Sequence, residues 1–249
     1  MAEAPDGWSE VAPVWARLWG SFAEPAQRVL MTVCAVGPEV RVLDVGCGSG
    51  EFLTLLVSAG ATAVGIDPAP EMVAAARLRA PTAVVREGSW EVPGLDDGSV
   101  DVITAVNSIQ FAEDLDDALA QAARLLRSGG VLAMANWAEA ALNDLDAVNS
   151  ALAAEAGEEE LPESPLRGPG ALEALVTSAG FAVEDSGLVS CPWLAANDAE
   201  LVTGLLLGED PSVVRDLHDD VLAAAAPFRT ADGGYRFENS FRWFTARRP

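Results

Sequence analysis

The chain contains no lysine: all 15 of its basic residues are arginine. A lysine Schiff base, a pyridoxal phosphate anchor and a P-loop lysine are therefore excluded, and whole enzyme classes with them. Histidine and tyrosine are nearly absent, with His218 and Tyr235 the single example of each. The three cysteines, Cys34, Cys47 and Cys191, show no metal-ligand spacing and would leave one thiol over if two paired. A reduced, cytoplasmic protein with no required metal is the expectation. Positive charge is scarce, 15 basic residues against 38 acidic ones, for a formal net charge of −23. Such a surface repels a polyanion, so no nucleic-acid partner is expected. Arg236, Arg242, Arg247 and Arg248 gather near the C-terminus and read as a solvated face that balances nearby acids. No uninterrupted apolar run is long enough to span a bilayer, and Met1 to Gly7 lacks a signal peptide's basic start.

Apolar residues are plentiful, half of the 249 positions, which supports a sizeable core in one domain with additions. The most informative stretch begins at Arg41 to Val45, β-branched and apolar as a buried parallel strand is. It runs into Gly46-Cys47-Gly48-Ser49-Gly50, and Phe52, Leu53, Leu55 and Leu56 follow at helical spacing. A glycine turn at a helix N-terminus offers free N–H groups and lets a ligand approach the main chain. The pattern is Asp-x-Gly-x-Gly-x-Gly, whereas the dinucleotide fingerprint needs its last glycine where Glu51 stands. Asp44 would repel a pyrophosphate but can accept hydrogen bonds from a cationic amino-acid group.

The run resembles motif I of class I S-adenosylmethionine-dependent methyltransferases, and the next segments agree. Ala61 to Ile66 reads as a second strand ending in Asp67, with a helix over Pro70 to Arg79. An acid about twenty residues past the turn can bind both ribose hydroxyls of an adenosine, in NAD or S-adenosylmethionine alike; the plainer reading of Asp67-Pro68 is a strand end. After a third strand at Val84 to Arg86, Gly88-Ser89-Trp90-Glu91 and Asp97-Gly98-Ser99-Val100-Asp101 are similar to the family's adenine-edge turn and the opening of its fourth strand. Trp90 either stacks on the adenine or fills core. Strand four, Val100 to Val106, delivers Asn107, Ser108, Ile109, Gln110 and Phe111 to the edge where open α/β sheets bind ligands. A helix over Asp116 to Arg127, stopped by Gly129-Gly130, leads to strand Val131 to Ala135, and Arg124 to Gly130 resembles another family signature.

The expected architecture is a doubly wound α/β sheet of seven mostly parallel strands, in the order 3-2-1-4-5-7-6 that the resemblance implies. Phe181 to Ser190 and Tyr235 to Ala246 would be strands six and seven, the last antiparallel. One domain is expected: a helical lid over 1–38, a cofactor core over 39–138, and a mobile insert, cap helices and the last two strands over 139–249. The lid rests on Trp8, Val11, Val14, Trp15, Leu18 and Trp19, which recur at helical spacing, and on a second apolar stretch from Pro25 to Val36; a helix packed on the sheet is the plainer reading. The insert, from Glu139 to Arg167, contains Gly157-Glu158-Glu159-Glu160. Two helices, Asp198 to Leu207 and Pro211 to Ala226, with Pro192-Trp193 at their head, would form the cap.

The resemblance is to the bacterial, small-molecule "methyltransferase type 11" subgroup. It implies S-adenosylmethionine as cofactor and S-adenosylhomocysteine as product. The cofactor-binding residues would be Asp44, Gly46, Cys47, Gly48, Gly50, Asp67, Pro68 and Met72, then Gly88, Ser89 and Trp90, then Asn107, Ser108 and Phe111. Trp15, Trp19, Gln110 and Trp137 would border the acceptor, a small apolar or aromatic metabolite. His218 shares a helical stripe with Val214, Leu217, Val221 and Leu222 and is the candidate base, against the commoner structural role. Alternatives are a relative that uses the bound cofactor for cyclisation or isomerisation, an NAD-dependent oxidoreductase, and a non-catalytic binding protein. The oligomer would be a monomer or homodimer.

Overall fold

The computed structural model describes residues 5–156 and 163–248; the Gly157 to Glu160 acid run and Met1 to Ala4 lie outside them. The helices are α1 (Pro5–Leu18), α2 (Glu24–Val33), α3 (Glu51–Ser58), α4 (Pro70–Arg79), α5 (Leu115–Leu125), α6 (Asp144–Ala156), α7 (Ala171–Ser178), α8 (Asp198–Leu205) and α9 (Pro211–Ala225). The strands are β1 (Arg41–Val45), β2 (Thr62–Asp67), β3 (Val84–Glu87), β4 (Val100–Val106), β5 (Leu126–Trp137), β6 (Ala182–Ser190), β7 (Trp193–Ala195), β8 (Tyr235–Phe237) and β9 (Ser240–Arg247). Among the described residues they form a seven-stranded sheet, β3-β2-β1-β4-β5-β9-β6, and a two-stranded one, β7-β8. Strands β1 to β5 are parallel and β9 runs antiparallel to both neighbours. This is the expected order.

Successive residues of the central strands point to opposite faces, and both faces are covered. Val42, Val102 and Ala133 pack with Leu30 of α2 and Phe52, Leu53 and Leu56 of α3. Leu43, Ile103 and Leu132 pack with Leu119 and Ala122 of α5 and Leu172 and Val176 of α7. That double cover is why the strands read as continuous apolar runs rather than as alternating ones.

Three boundaries differ from the sequence reading. The expected last strand, Tyr235 to Ala246, is cut in two at Glu238-Asn239. There the Glu238 N–H donates to Asp144 Oδ2 (2.7 Å), Asn239 O accepts from the Cys191 N–H (2.7 Å), and buried Asn239 accepts at Oδ1 from the Leu145 N–H (3.3 Å). Those groups serve α6 and the cap instead of the ladder, so β8 pairs with β7 apart from the main sheet. Trp193, expected at the head of the cap, accordingly opens β7. Gly129-Gly130 does not stop α5: the helix ends at Leu125, Leu126 already pairs with Val100, and the glycines lie inside β5 past an irregularity. Of the two N-terminal helices, α1 lies on α4, whereas α2 packs on β5, β9 and β6 as an ordinary covering layer.

The end of α1 is clamped to α8 and β7. Trp19 donates Nε1–H to Gly204 O (3.1 Å), Trp193 donates Nε1–H to Leu18 O (2.9 Å), and the two indoles stack at 4.5 Å. A Cβ on Gly204 would lie 2.5 Å from the Trp193 ring. Because that ring is held on both sides, Gly204→Ala is expected to destabilise the protein by about 2 kcal/mol, lowering Tm by roughly 4–8 °C. Thermal unfolding of the single variant checks this, and an unchanged Tm would remove the clamp from the account.

Candidate functional site

The turn after β1 is built by steric exclusion. The Gly46 and Cys47 N–H groups donate to Ile66 O at 2.9 and 3.0 Å, which folds the chain back against the end of β2. Gly46 (φ +71°) has no room for a side chain, because a Cβ would meet Ser108 Cβ at 2.4 Å. Gly50 (φ +89°) would meet Ala76 Cα at 2.8 Å, where α4 crosses α3. Gly48 is different: the nearest atom to its would-be Cβ is Trp15 Nε1, at 4.0 Å. Two of the glycines therefore serve packing, and the third leaves the main chain open beneath Trp15 of α1. Cys47 turns its thiol inward, its Sγ 2.9 Å from where a Gly65 Cβ would stand, so only its backbone faces the turn.

Two buried carboxylates flank this opening. Asp67, 8 % exposed, accepts at Oδ2 from the Gly48 N–H and at Oδ1 from the Ala69 N–H, both at 2.9 Å. Burial raises its pKa, and the two N–H groups oppose that rise. Asp44, 3 % exposed, accepts at Oδ1 from the Thr104 hydroxyl (2.7 Å) of the adjacent strand β4. Burial pushes its pKa up to about 7; the Thr104 hydrogen bond lowers it and the Asp67 charge raises it. Among the described residues neither acid has a salt-bridge partner. Unpaired buried carboxylates beside an open backbone favour a ligand bearing positive charge and hydroxyl donors.

The remaining residues divide clearly. Gly88 N–H donates to Asp67 O (3.1 Å), and Ser89 bonds the Glu91 carboxylate. Trp90 is buried in the core with Ile66 and Ile103, its Nε1–H without a partner in the protein. Pro68 is exposed, while Met72 is buried with Ala12 and Ala69 against Trp8 and Trp15, which brings α1 onto α4. At the end of β4, Asn107 adopts φ +53° and donates its N–H to Ala135 O (2.8 Å). The Ser108 hydroxyl donates to Val45 O (2.6 Å), tying this loop to the glycine turn. Phe111, half exposed, meets Trp8 edge-on at 5.7 Å. Trp15 stacks on Trp19 (5.9 Å), and Trp137 packs on Phe22 and Phe241 at 5.0 and 5.2 Å, continuing an aromatic wall from lid to cap.

His218 is not brought to this site. Its side chain is 48 % exposed and its Nδ1 lies 2.8 Å from Asp219 Oδ1 on the same helix. The apolar stripe of α9 is buried only at Val221 and Ala225, so the expected inward face does not reach His218. Two contributors escaped the sequence reading. Thr104 is a lone hydroxyl in an apolar strand, and only its register opposite Asp44 explains it. Glu51 takes both of its contacts locally, from the Ser49 hydroxyl (2.7 and 2.8 Å) and Arg79 (3.1 Å). Its Oε1 stands 2.3 Å from where a Gly20 Cβ would be, so the residue that breaks the dinucleotide pattern also packs against the chain just past α1.

The open glycine turn between two buried acids thus lies at the carboxyl edge of β1 and β2, the edge at which doubly wound α/β proteins of this strand order take their ligands. The chain belongs to the S-adenosylmethionine-dependent methyltransferases. Residues 43–134 match the methyltransferase domain family. The nocamycin O-methyltransferase of Saccharothrix syringae is 35 % identical over 207 residues, covering 74 % of this chain and 73 % of that protein. A malonyl-[acyl-carrier protein] O-methyltransferase from Methylococcus capsulatus is 40 % identical over 115 residues, but only 43 % of this chain and 41 % of that one are covered. The YcgJ protein of Bacillus subtilis has the same fold, with a TM-score of 0.62 at 19 % identity over 89 % of this chain and 97 % of its own.

The raised pKa of Asp44 has a definite sign in stability. Between about pH 4 and 7 the folded chain keeps a proton that the unfolded chain has lost, so stability falls as pH rises through that window. Asp44→Asn retains the oxygen that accepts from Thr104 and removes the charge. Its advantage over the parent, without ligand, is expected to grow from near zero at pH 4 to on the order of 2–4 kcal/mol at pH 8. Denaturant unfolding of both proteins across that range measures it; a constant difference would contradict the burial of an uncompensated charge.

Proposed function

We propose that the protein transfers a methyl group from S-adenosylmethionine to a small, apolar or aromatic metabolite, leaving S-adenosylhomocysteine. The observation that carries this reading is Gly48, the one turn glycine open to the lid, with its N–H held by the buried acid that ends β2. Asp67 would take the ribose hydroxyls. Asp44 would face the cationic methionine end, where a positive charge relieves the cost of its burial. Ser89 borders the adenine edge, and Trp90 supports that edge from within the core. Asn107, Ser108 and Phe111 close the β4 side.

When bound, the cofactor supplies an electrophilic methyl group on a sulfonium, so the protein's task is positioning and exclusion of water. The lid and the aromatic wall of Trp15, Trp19 and Trp137 suit an apolar acceptor. The relative from S. syringae is an O-methyltransferase by name, which agrees with an oxygen acceptor. No base is assigned, since His218 faces solvent.

Calorimetric titration with S-adenosylmethionine, S-adenosylhomocysteine and NAD tests the cofactor. Both sulfur compounds should bind and NAD should not, and Asp67→Ala should weaken binding by about 10- to 100-fold, the loss expected for hydrogen bonds to a charged group. Preference for NAD, or indifference to Asp67, overturns the reading. Release of S-adenosylhomocysteine during turnover separates methyl transfer from a cyclisation or isomerisation that leaves the cofactor intact.

A further inference from the structure

Beyond β4, Gln110 sits in a single 3-10 turn, Ile109–Phe111. Its Nε2 lies 3.1 Å from Asn107 O and 3.0 Å from Asn107 Oδ1. Two acceptors on that side require the amide nitrogen there, so the orientation of the amide is settled by chemistry. Its Oε1 is thereby turned the other way, where it is buried and has no hydrogen-bond partner in the protein. A buried acceptor left without a donor is destabilising and calls for an explanation. Asn107, which holds the amide, is itself in the left-handed region at φ +53°, uncommon for a residue with a side chain. The neighbours on either side are committed: Ser108 to the glycine turn through Val45 O, and Phe111 to Trp8 of the lid. The amide oxygen is therefore an unpaired acceptor in the loop after β4, at the strand edge where ligands bind in open α/β sheets, and that loop is tied to the glycine turn by Ser108 and to α1 by Phe111.

We propose that Gln110 selects and orients the methyl acceptor, and that the acceptor is a protic nucleophile, an O–H or N–H group that donates to Gln110 Oε1. This rests on the methyl-transfer reading above. In the transfer, a lone pair of that oxygen or nitrogen forms the new bond to the methyl carbon. The carbon–sulfur bonding pair returns to sulfur, giving a neutral thioether, and the acceptor's proton passes to water. A neutral amide accepts the hydrogen bond and not the proton, so Gln110 aims the lone pair and is not a base. Carbon and thioether acceptors, which cannot donate, are disfavoured because they leave Oε1 unpaired.

The test uses the full chain saturated with S-adenosylhomocysteine and three matched pairs of probes: phenol and anisole, benzyl alcohol and its methyl ether, aniline and N,N-dimethylaniline. The parent should hold each protic probe at least about tenfold tighter than its methylated counterpart. Gln110→Leu should lose that discrimination and keep its affinity for S-adenosylhomocysteine. Loss of selectivity between the paired probes at unchanged cofactor affinity would not arise from a structural glutamine. Equal binding of the paired probes by the parent, or selectivity retained in Gln110→Leu, overturns the inference while leaving methyl transfer standing. Failure of the parent to bind S-adenosylhomocysteine sinks both.

Discussion

The close approach of three backbones at Gly46 and Gly50 is the constraint from which the site follows. With no Cβ at Gly46, Ser108 can reach Val45 O and bring the end of β4 against the turn. With none at Gly50, α4 can cross α3 at Ala76, which carries the loop from Asp67 to Ala69 toward Gly48. Left-handed φ values at both positions would be strained for any side chain, so sterics and conformation demand the same residue. The opening at Gly48 is what remains when the other two glycines have been closed over by their neighbours.

Electrostatics then divides the molecule. The acid excess is large, yet most arginines are paired, as in Arg41 and Arg127 on Asp101 and Arg247 on Glu184 at the edge where β1, β4 and β5 begin. Asp101 is held well below the usual carboxylate range, first by its hydrogen bond from Arg41. Asp44 and Asp67, at the opposite edge, receive no arginine. Keeping these acids buried and without a cationic partner costs stability, and the raised pKa of both reports that cost.

Much of this was legible in the chain. The helix over Pro70–Arg79 is bounded by a proline at its start and by Pro81 just past its end, and the structure has those bounds. Strand order and the antiparallel last strand came from the family resemblance, whose ordered motifs run from about Arg41 to Trp137. Tyr235 to Ala246 was expected as one strand on the same resemblance; the break at Glu238-Asn239 depends on hydrogen bonds to residues more than ninety positions away. His218 misled for a related reason. A helical stripe identifies a face, but whether that face is covered depends on where α6 and α8 happen to lie.

The sequence by itself determined the elements, the glycine turn and the two acids, because period, turn chemistry and local sterics act over a few residues. Which glycine stays open, which indoles hold α1 against α8, and which Gln110 amide atom is left unpaired were decided only by tertiary structure. Those outcomes depend on groups brought together from distant positions, such as Trp15 over Gly48 and Trp19 against Gly204. A local pattern carries no information about such contacts, since each partner reads as an ordinary core residue until the other arrives.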